Sequence, residues 1–184
     1  YFHRSYFQNF PGLRLFSTTG LLPGQWHSRL YWAYGQVTGQ YLVFRGRMGY
    51  AVQQYATTFR DGGANAGDGY VIAAGETAER EMDQKLFALQ AQDYKWRIRV
   101  PVRPAAMALA GDKLLLAGPP DRPDPAEALA ALQGREGGLL WVLSATDGKK
   151  LAECRLDAPP VFDGLAVARG RLYASTTDGK VRCL

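Results

Sequence analysis

An all-β fold built from repeated antiparallel sheets is predicted for this chain by three observations. An apolar run, a glycine-containing turn with a basic residue and a second apolar run occur together three times, over residues 41–52, 107–117 and 165–174. The stretch that starts Gly138-Leu-Leu-Trp matches the one that starts Gly179-Lys-Val-Arg, and residues 85–89 have the same shape. Where the chain runs on, a further turn follows, over 145–149 in one copy and 91–95 in another.

Each of the three paired runs reads as a β-hairpin, because β-branched and aromatic runs of four or five residues flank a tight turn. Gly46, Gly111 and Gly170 are assigned to positive φ, where a Cβ is strained. The best-formed of the later strands alternate apolar and polar side chains, the period of a half-buried strand. Residues 61–69 are too rich in glycine for a strand or a helix. A short helix is expected over 77–84. A second is expected over 126–133, with Asp124 as N-cap, Pro125 at N1, Glu127 at N3 and Gly134 as the stop. Four short strands in a period of about forty residues is the signature of a β-propeller blade. The expected fold is therefore all-β, a partial β-propeller of four-stranded antiparallel blades with short helical insertions. An irregular aromatic- and arginine-rich segment (1–37) precedes the blades (38–184).

The run Asp178-Gly-Lys-Val-Arg-Cys-Leu184 resembles the start of a strand in the PQQ-like (quinoprotein alcohol dehydrogenase-like) propeller repeat. Residues 143–151, Leu-Ser-Ala-Thr-Asp-Gly-Lys-Lys-Leu, resemble the turn that follows it in that family, roughly Leu-x-Ala-x-x-Gly-Lys-x-Leu-Trp. The resemblance is good over 85–184, weaker over 38–84 and absent as a motif over 1–37. Two departures stand out. The tryptophan that family members use to dock one blade on the next is Ala152 here. In the earlier copy the turn glycine is Tyr94, and a tryptophan, Trp96, comes early. At about forty residues per blade the chain holds roughly three to four blades, whereas propellers close with about four to eight. The resemblance thus implies the C-terminal portion of a larger ring, with the remaining blades of the same polypeptide as partners. An open arc would expose blade faces and sheet edges.

Charge divides the chain. Of 22 Lys+Arg and 17 Asp+Glu, residues 1–60 hold six arginines (Arg4, Arg14, Arg29, Arg45, Arg47, Arg60), no lysine and no carboxylate. Asp61 is the first acidic residue, and 15 of the 22 aromatic residues and both histidines precede it. The two parts are expected to do different jobs. The 47% hydrophobic content excludes a disordered chain, and 2 cysteines exclude a disulfide-dense scaffold or a four-cysteine zinc site. No run approaches the roughly 18–20 apolar residues of a membrane helix. The sequence opens on Tyr1 without a signal-peptide pattern, as an internal or C-terminal piece of a longer protein does.

Within the head, Tyr1-Phe-His-Arg-Ser-Tyr-Phe7 and Trp26-His-Ser-Arg-Leu-Tyr-Trp32 are two variants of one pattern. His3, Arg4, Tyr6, Trp26, His27, Arg29 and Trp32 are therefore the candidate ligand- or partner-binding residues. A guanidinium stacked on aromatic faces receives carboxylate, phosphate or sulfate, and flat aromatics flanked by donors suit sugar rings. The competing reading is packing, with arginine stems lying over aromatics at blade ends. His3 and His27 have no acidic or thiol neighbour in the head to complete a metal site. Asp61, Asn65 and Asp68 fit neither EF-hand nor phosphate-loop spacing, so a solvated loop is expected there.

Cys154 and Cys183 each fall in a predicted strand, as inert buried thiols or, if the strands are neighbours, as a disulfide. PQQ-dependent dehydrogenases place adjacent cysteines and calcium over the cofactor, and no Cys-Cys pair exists here. No G-x-S-x-G, H-E-x-x-H or C-x-x-C occurs either. Nucleic acid is disfavoured, since no lysine joins the arginines and no helix-turn-helix or RNP pattern is present. The expected role is a non-catalytic scaffold or recognition module for protein or glycan, without cofactor. The family resemblance implies a periplasmic, cell-envelope or secreted location. The alternative is the non-catalytic end of a PQQ-dependent oxidoreductase, with PQQ and calcium bound by blades outside this chain.

Overall fold

The computed structural model of the chain describes residues 15–18, 31–34, 37–39, 41–54, 70–76 and 94–184. Two compact units divide it: Tyr1–Gln53 with Ala73–Arg97, and Gln54–Ile72 with Ile98–Leu184. Among the described residues, each sheet pairs its strands with their neighbours in the sequence.

Strands β1 (Leu15–Thr18), β2 (Tyr31–Tyr34) and β3 (Val37–Gly39) form a three-stranded sheet. These strands fall within and just beyond the segment expected to be irregular. Next come β4 (Tyr41–Arg45), β5 (Met48–Gln54), β6 (Tyr70–Glu76) and β7 (Tyr94–Val100), joined in that order. Six consecutive residues of β6, Tyr-Val-Ile-Ala-Ala-Gly, are buried. An unbroken apolar run is what a strand covered on both faces requires. Strand β7 alternates instead. Tyr94, Trp96 and Ile98 are half-buried, and Lys95, Arg97 and Arg99 are exposed. The Trp96 ring tilts against Tyr50, with centroids 6.1 Å apart. The turn expected over 91–95 is corrected at its end, since Tyr94 and Lys95 already belong to β7. With tyrosine in place of the turn glycine, the alternating aromatic and basic run extends the strand.

The second four-stranded sheet consists of β8 (Ala106–Ala110), β9 (Lys113–Gly118), β10 (Gly138–Ser144) and β11 (Lys150–Leu156). Strands β12 (Pro160–Ala168), β13 (Arg171–Thr176) and β14 (Val181–Cys183) make a sheet of three. The fold is thus all-β, with the up-and-down sheets of a partial propeller, as the repeats predict. The three expected hairpins are β4–β5, β8–β9 and β12–β13. Gly46, Gly111 and Gly170 take φ of 57°, 58° and 75° at their turns.

Helix α1 (Pro125–Leu132) interrupts β9 and β10 where the sequence places it. The Asp124 carboxylate accepts from the N–H groups of Ala126 (2.8 Å) and Glu127 (3.1 Å), satisfying donors that the first turn leaves unpaired. The helix expected over 77–84, the strand at 85–89 and the glycine loop at 61–69 lie outside the described residues.

Alternation decides how the last two sheets meet. Leu115, Ala117, Leu140 and Leu156 of the four-stranded sheet form one buried cluster with Leu172 of β13, flanked by Ala108, Ala110, Val142 and Leu165. Alongside, β12 runs next to β8 and the Asp163 N–H donates to the Ala105 carbonyl at 2.9 Å. That bond sits in a bulge. Residues 161–164 of β12 stand against Ser175 alone, and Asp163 is forced to φ 54°.

Candidate functional site

Of the candidate residues in the head, His3, Arg4, Tyr6, Trp26, His27 and Arg29 lie outside the described residues. Trp32 is placed by its backbone in β2, opposite Ser17 of β1 and Gly39 of β3. Asp61, Asn65 and Asp68 also lie outside the described residues.

The two cysteines are placed. Cys154 lies on β11 and Cys183 on β14; both are free thiols and both are exposed. The burial expected of them is corrected. Each sits on the outermost strand of its sheet, which is covered less completely than the strands inside.

The repeated Asp-Gly-Lys turns have a common construction. In the β10–β11 turn, Asp147 meets the Ser144 hydroxyl and the Lys149 ammonium (3.0 Å). Those bonds hold its carboxyl at about 2, well below the usual range, the Ser144 hydrogen bond contributing most. In the β13–β14 turn, Asp178 accepts from the Thr176 hydroxyl, which is the main cause of its own low pKa. Lys180 (3.0 Å) and Arg182 (3.3 Å) complete its shell. Gly148 (φ 74°) and Gly179 (φ 78°) supply the left-handed residue each turn needs. The motif that carries the family resemblance is therefore explained here by turn chemistry alone.

A cleft of about 340 Å³ opens beside β10 and β11. Its lining combines Pro101, Pro120, Gly138, Leu139 and Leu156 with the polar Asp121, Arg122, Glu136, Glu153 and Arg155. Beside it, residues 101–105 continue the β8–β9 ladder. Val102 bridges Pro120, the Arg103 N–H donates to the Pro119 carbonyl and the Asp121 N–H to the Pro101 carbonyl, each 2.9 Å. Gly118 permits this pairing, since a Cβ there would fall on the Arg103 carbonyl. Burial pushes the Asp121 carboxyl up, against the pull of Arg103. Across the cleft the Arg122 guanidinium donates from Nε to Glu136 at 2.9 Å.

Glu153 belongs to a small cluster on β10 and β11. It lies opposite Trp141, and the Lys150 ammonium reaches both, at 2.9 Å from the carboxylate and 4.6 Å from the indole centroid. The Lys150 hydrogen bond is the main cause of the lowered Glu153 pKa, and proximity to the indole adds least. The buried Trp141 Nε1 nevertheless has no acceptor in hydrogen-bond geometry.

Among the described residues no group of three or more His, Cys, Asp and Glu is placed to hold a metal ion. No helix among them is long and apolar enough to cross a membrane. Sequence reasoning passed over the cleft, whose lining comes from separate stretches between Pro101 and Leu156. The Arg122–Glu136 pair, 14 residues apart, was its one readable signal. No family model matches the sequence, and no curated protein matches it.

Proposed function

We propose that the chain is a non-catalytic scaffold and recognition module, in which PQQ-like blades carry an aromatic, arginine-rich head that binds a protein or glycan at the bacterial cell envelope. One observation carries this reading. The first sixty residues hold six arginines, 15 of the 22 aromatic residues and no carboxylate. Arginines interleaved with aromatics suit contact with an anionic or hydroxyl-rich partner. The further blades of a longer polypeptide supply the rest of the scaffold in this reading.

The test must leave the sheets intact. Deleting residues 1–60 would remove β4 and β5 with their buried Tyr50, Ala51 and Val52. Substitution of the head is cleaner. The intact chain and its Arg4→Gln/Arg29→Gln variant are passed over a glycan array and an envelope-protein pull-down. Loss of the bound species in the variant is the expected result. Equal retention by both would remove the head from the binding account.

A further inference from the structure

We propose that the cleft beside β10 and β11 binds a short peptide of two or three residues with both ends free, its ammonium on Asp121 and its carboxylate on Arg155. This site is independent of the head.

Pairing among the lining charges leaves two of them over. Arg122 and Glu136 satisfy each other across the start and end of the stretch between β9 and β10, from Nε to carboxylate at 2.9 Å. Glu153 is answered by the Lys150 ammonium at 2.9 Å. Asp121 and Arg155 remain. Among the described residues neither of these side chains makes a hydrogen bond or an ion pair. Arg103 pulls on Asp121 from beyond ion-pair contact, and burial outweighs that pull. A half-buried carboxylate without a donor is costly, so an ammonium entering the cleft supplies a partner that the chain withholds. A guanidinium receives a carboxylate through two parallel bonds, which suits Arg155 to the other end of the same molecule.

The strand register sets the length of the ligand. Gly118 pairs with Leu139 and Leu139 with Arg155, so the three form one row across β9, β10 and β11. Strands lie about 4.8 Å apart, which puts the end of β9 about 10 Å from Arg155. Asp121 lies beyond that row on the β9 side, with its N–H fixed to the Pro101 carbonyl at 2.9 Å. A free amino acid carries both charges on one carbon. Two or three extended residues, at about 3.3–3.6 Å each, separate them by the length this gap requires. The uncharged lining, Pro101, Pro120, Leu139 and Leu156, suits an apolar side chain, and about 340 Å³ is at the small end of ligand pockets. A sugar ring fits less well. None of the lining residues is aromatic, and the nearby Trp141 ring already carries Lys150 at 4.6 Å from its centroid.

The probes are alanyl-leucine, its N-acetyl and C-amide forms, free leucine and glucuronate, each titrated onto the full chain and followed by amide chemical shifts. Saturable binding of alanyl-leucine is expected, weakened about tenfold by either cap, since each removes one charge-assisted contact. Asp121→Asn should weaken alanyl-leucine about tenfold and leave the N-acetyl form as it was. Arg155→Gln should weaken alanyl-leucine equally and leave the amide as it was. Loss of fold cannot produce that crossed pattern, because it would weaken every form. The Arg4→Gln/Arg29→Gln chain should bind alanyl-leucine undiminished, which separates this site from the head. No binding at about 10 mM alanyl-leucine, caps without effect, or variants that weaken free and capped forms alike overturn the proposal. So does leucine bound as tightly as the dipeptide, or glucuronate bound in its place, which would make the ligand a free amino acid or an acidic sugar.

Discussion

Truncating Leu115 and Leu172 together measures how firmly the last two sheets are joined. Leu115 is 7% exposed and Leu172 is 9% exposed, in one cluster to which the two sheets contribute from opposite sides. Each Leu→Ala change removes three carbons, or about 2.4 kcal/mol at ~0.8 kcal/mol per carbon. A partly collapsed cavity brings each to about 3 kcal/mol. The first truncation already opens the shared space, so the pair should cost less than the sum, with a coupling of about 1 kcal/mol. Urea unfolding of the wild type, both single variants and the double variant supplies the cycle, read at constant m-value. Costs that add to within about 0.5 kcal/mol would refute direct packing between the two side chains.

The turns, the cleft and the Gly118 approach give further predictions. Gly179→Ala should cost about 1 kcal/mol from its φ of 78° alone, since nothing lies within 4 Å of the added carbon. Gly118→Ala should cost more, because its Cβ meets the Arg103 carbonyl, and chemical denaturation ranks the two. Asp147 is held at about 2 against an ordinary 3.8, so its contribution to stability is full above the ordinary value and lost as pH falls through about 2. Melting curves of wild type and Asp147→Asn should therefore differ at pH 6 and converge in strong acid. Asp121 has the opposite sign, since burial raises it and its ionisation weakens the fold as pH rises. Asp121→Asn should melt slightly higher than wild type at pH 7, with no difference well below pH 3.8.

The hairpins were legible because their signal is local: apolar runs of strand length around a glycine whose φ had to be positive. Helix α1 was legible for the same reason, as Asp124, Pro125 and Glu127 each meet a separate requirement of a helix start. What failed depended on neighbours the sequence does not display. Cys154 and Cys183 lie in strands as expected, yet their exposure follows from which strand ends each sheet. The turn expected at 91–95 lost to the alternation that starts at Tyr94. The cleft joins residues from Pro101 to Leu156, and no spacing announces that Asp121 will be partly buried beside Arg103.

Amide hydrogen exchange at four positions tests the repeat-derived account of the β12–β14 sheet most directly. If β13 and β14 pair in the register the repeat predicts, the amides of Leu172 and Leu184 are protected in the 184-residue chain, while those of Val181 and Cys183, which turn away from β13, exchange fast. Fast exchange of Leu172 and Leu184, or strong protection of Val181 and Cys183, would contradict that register.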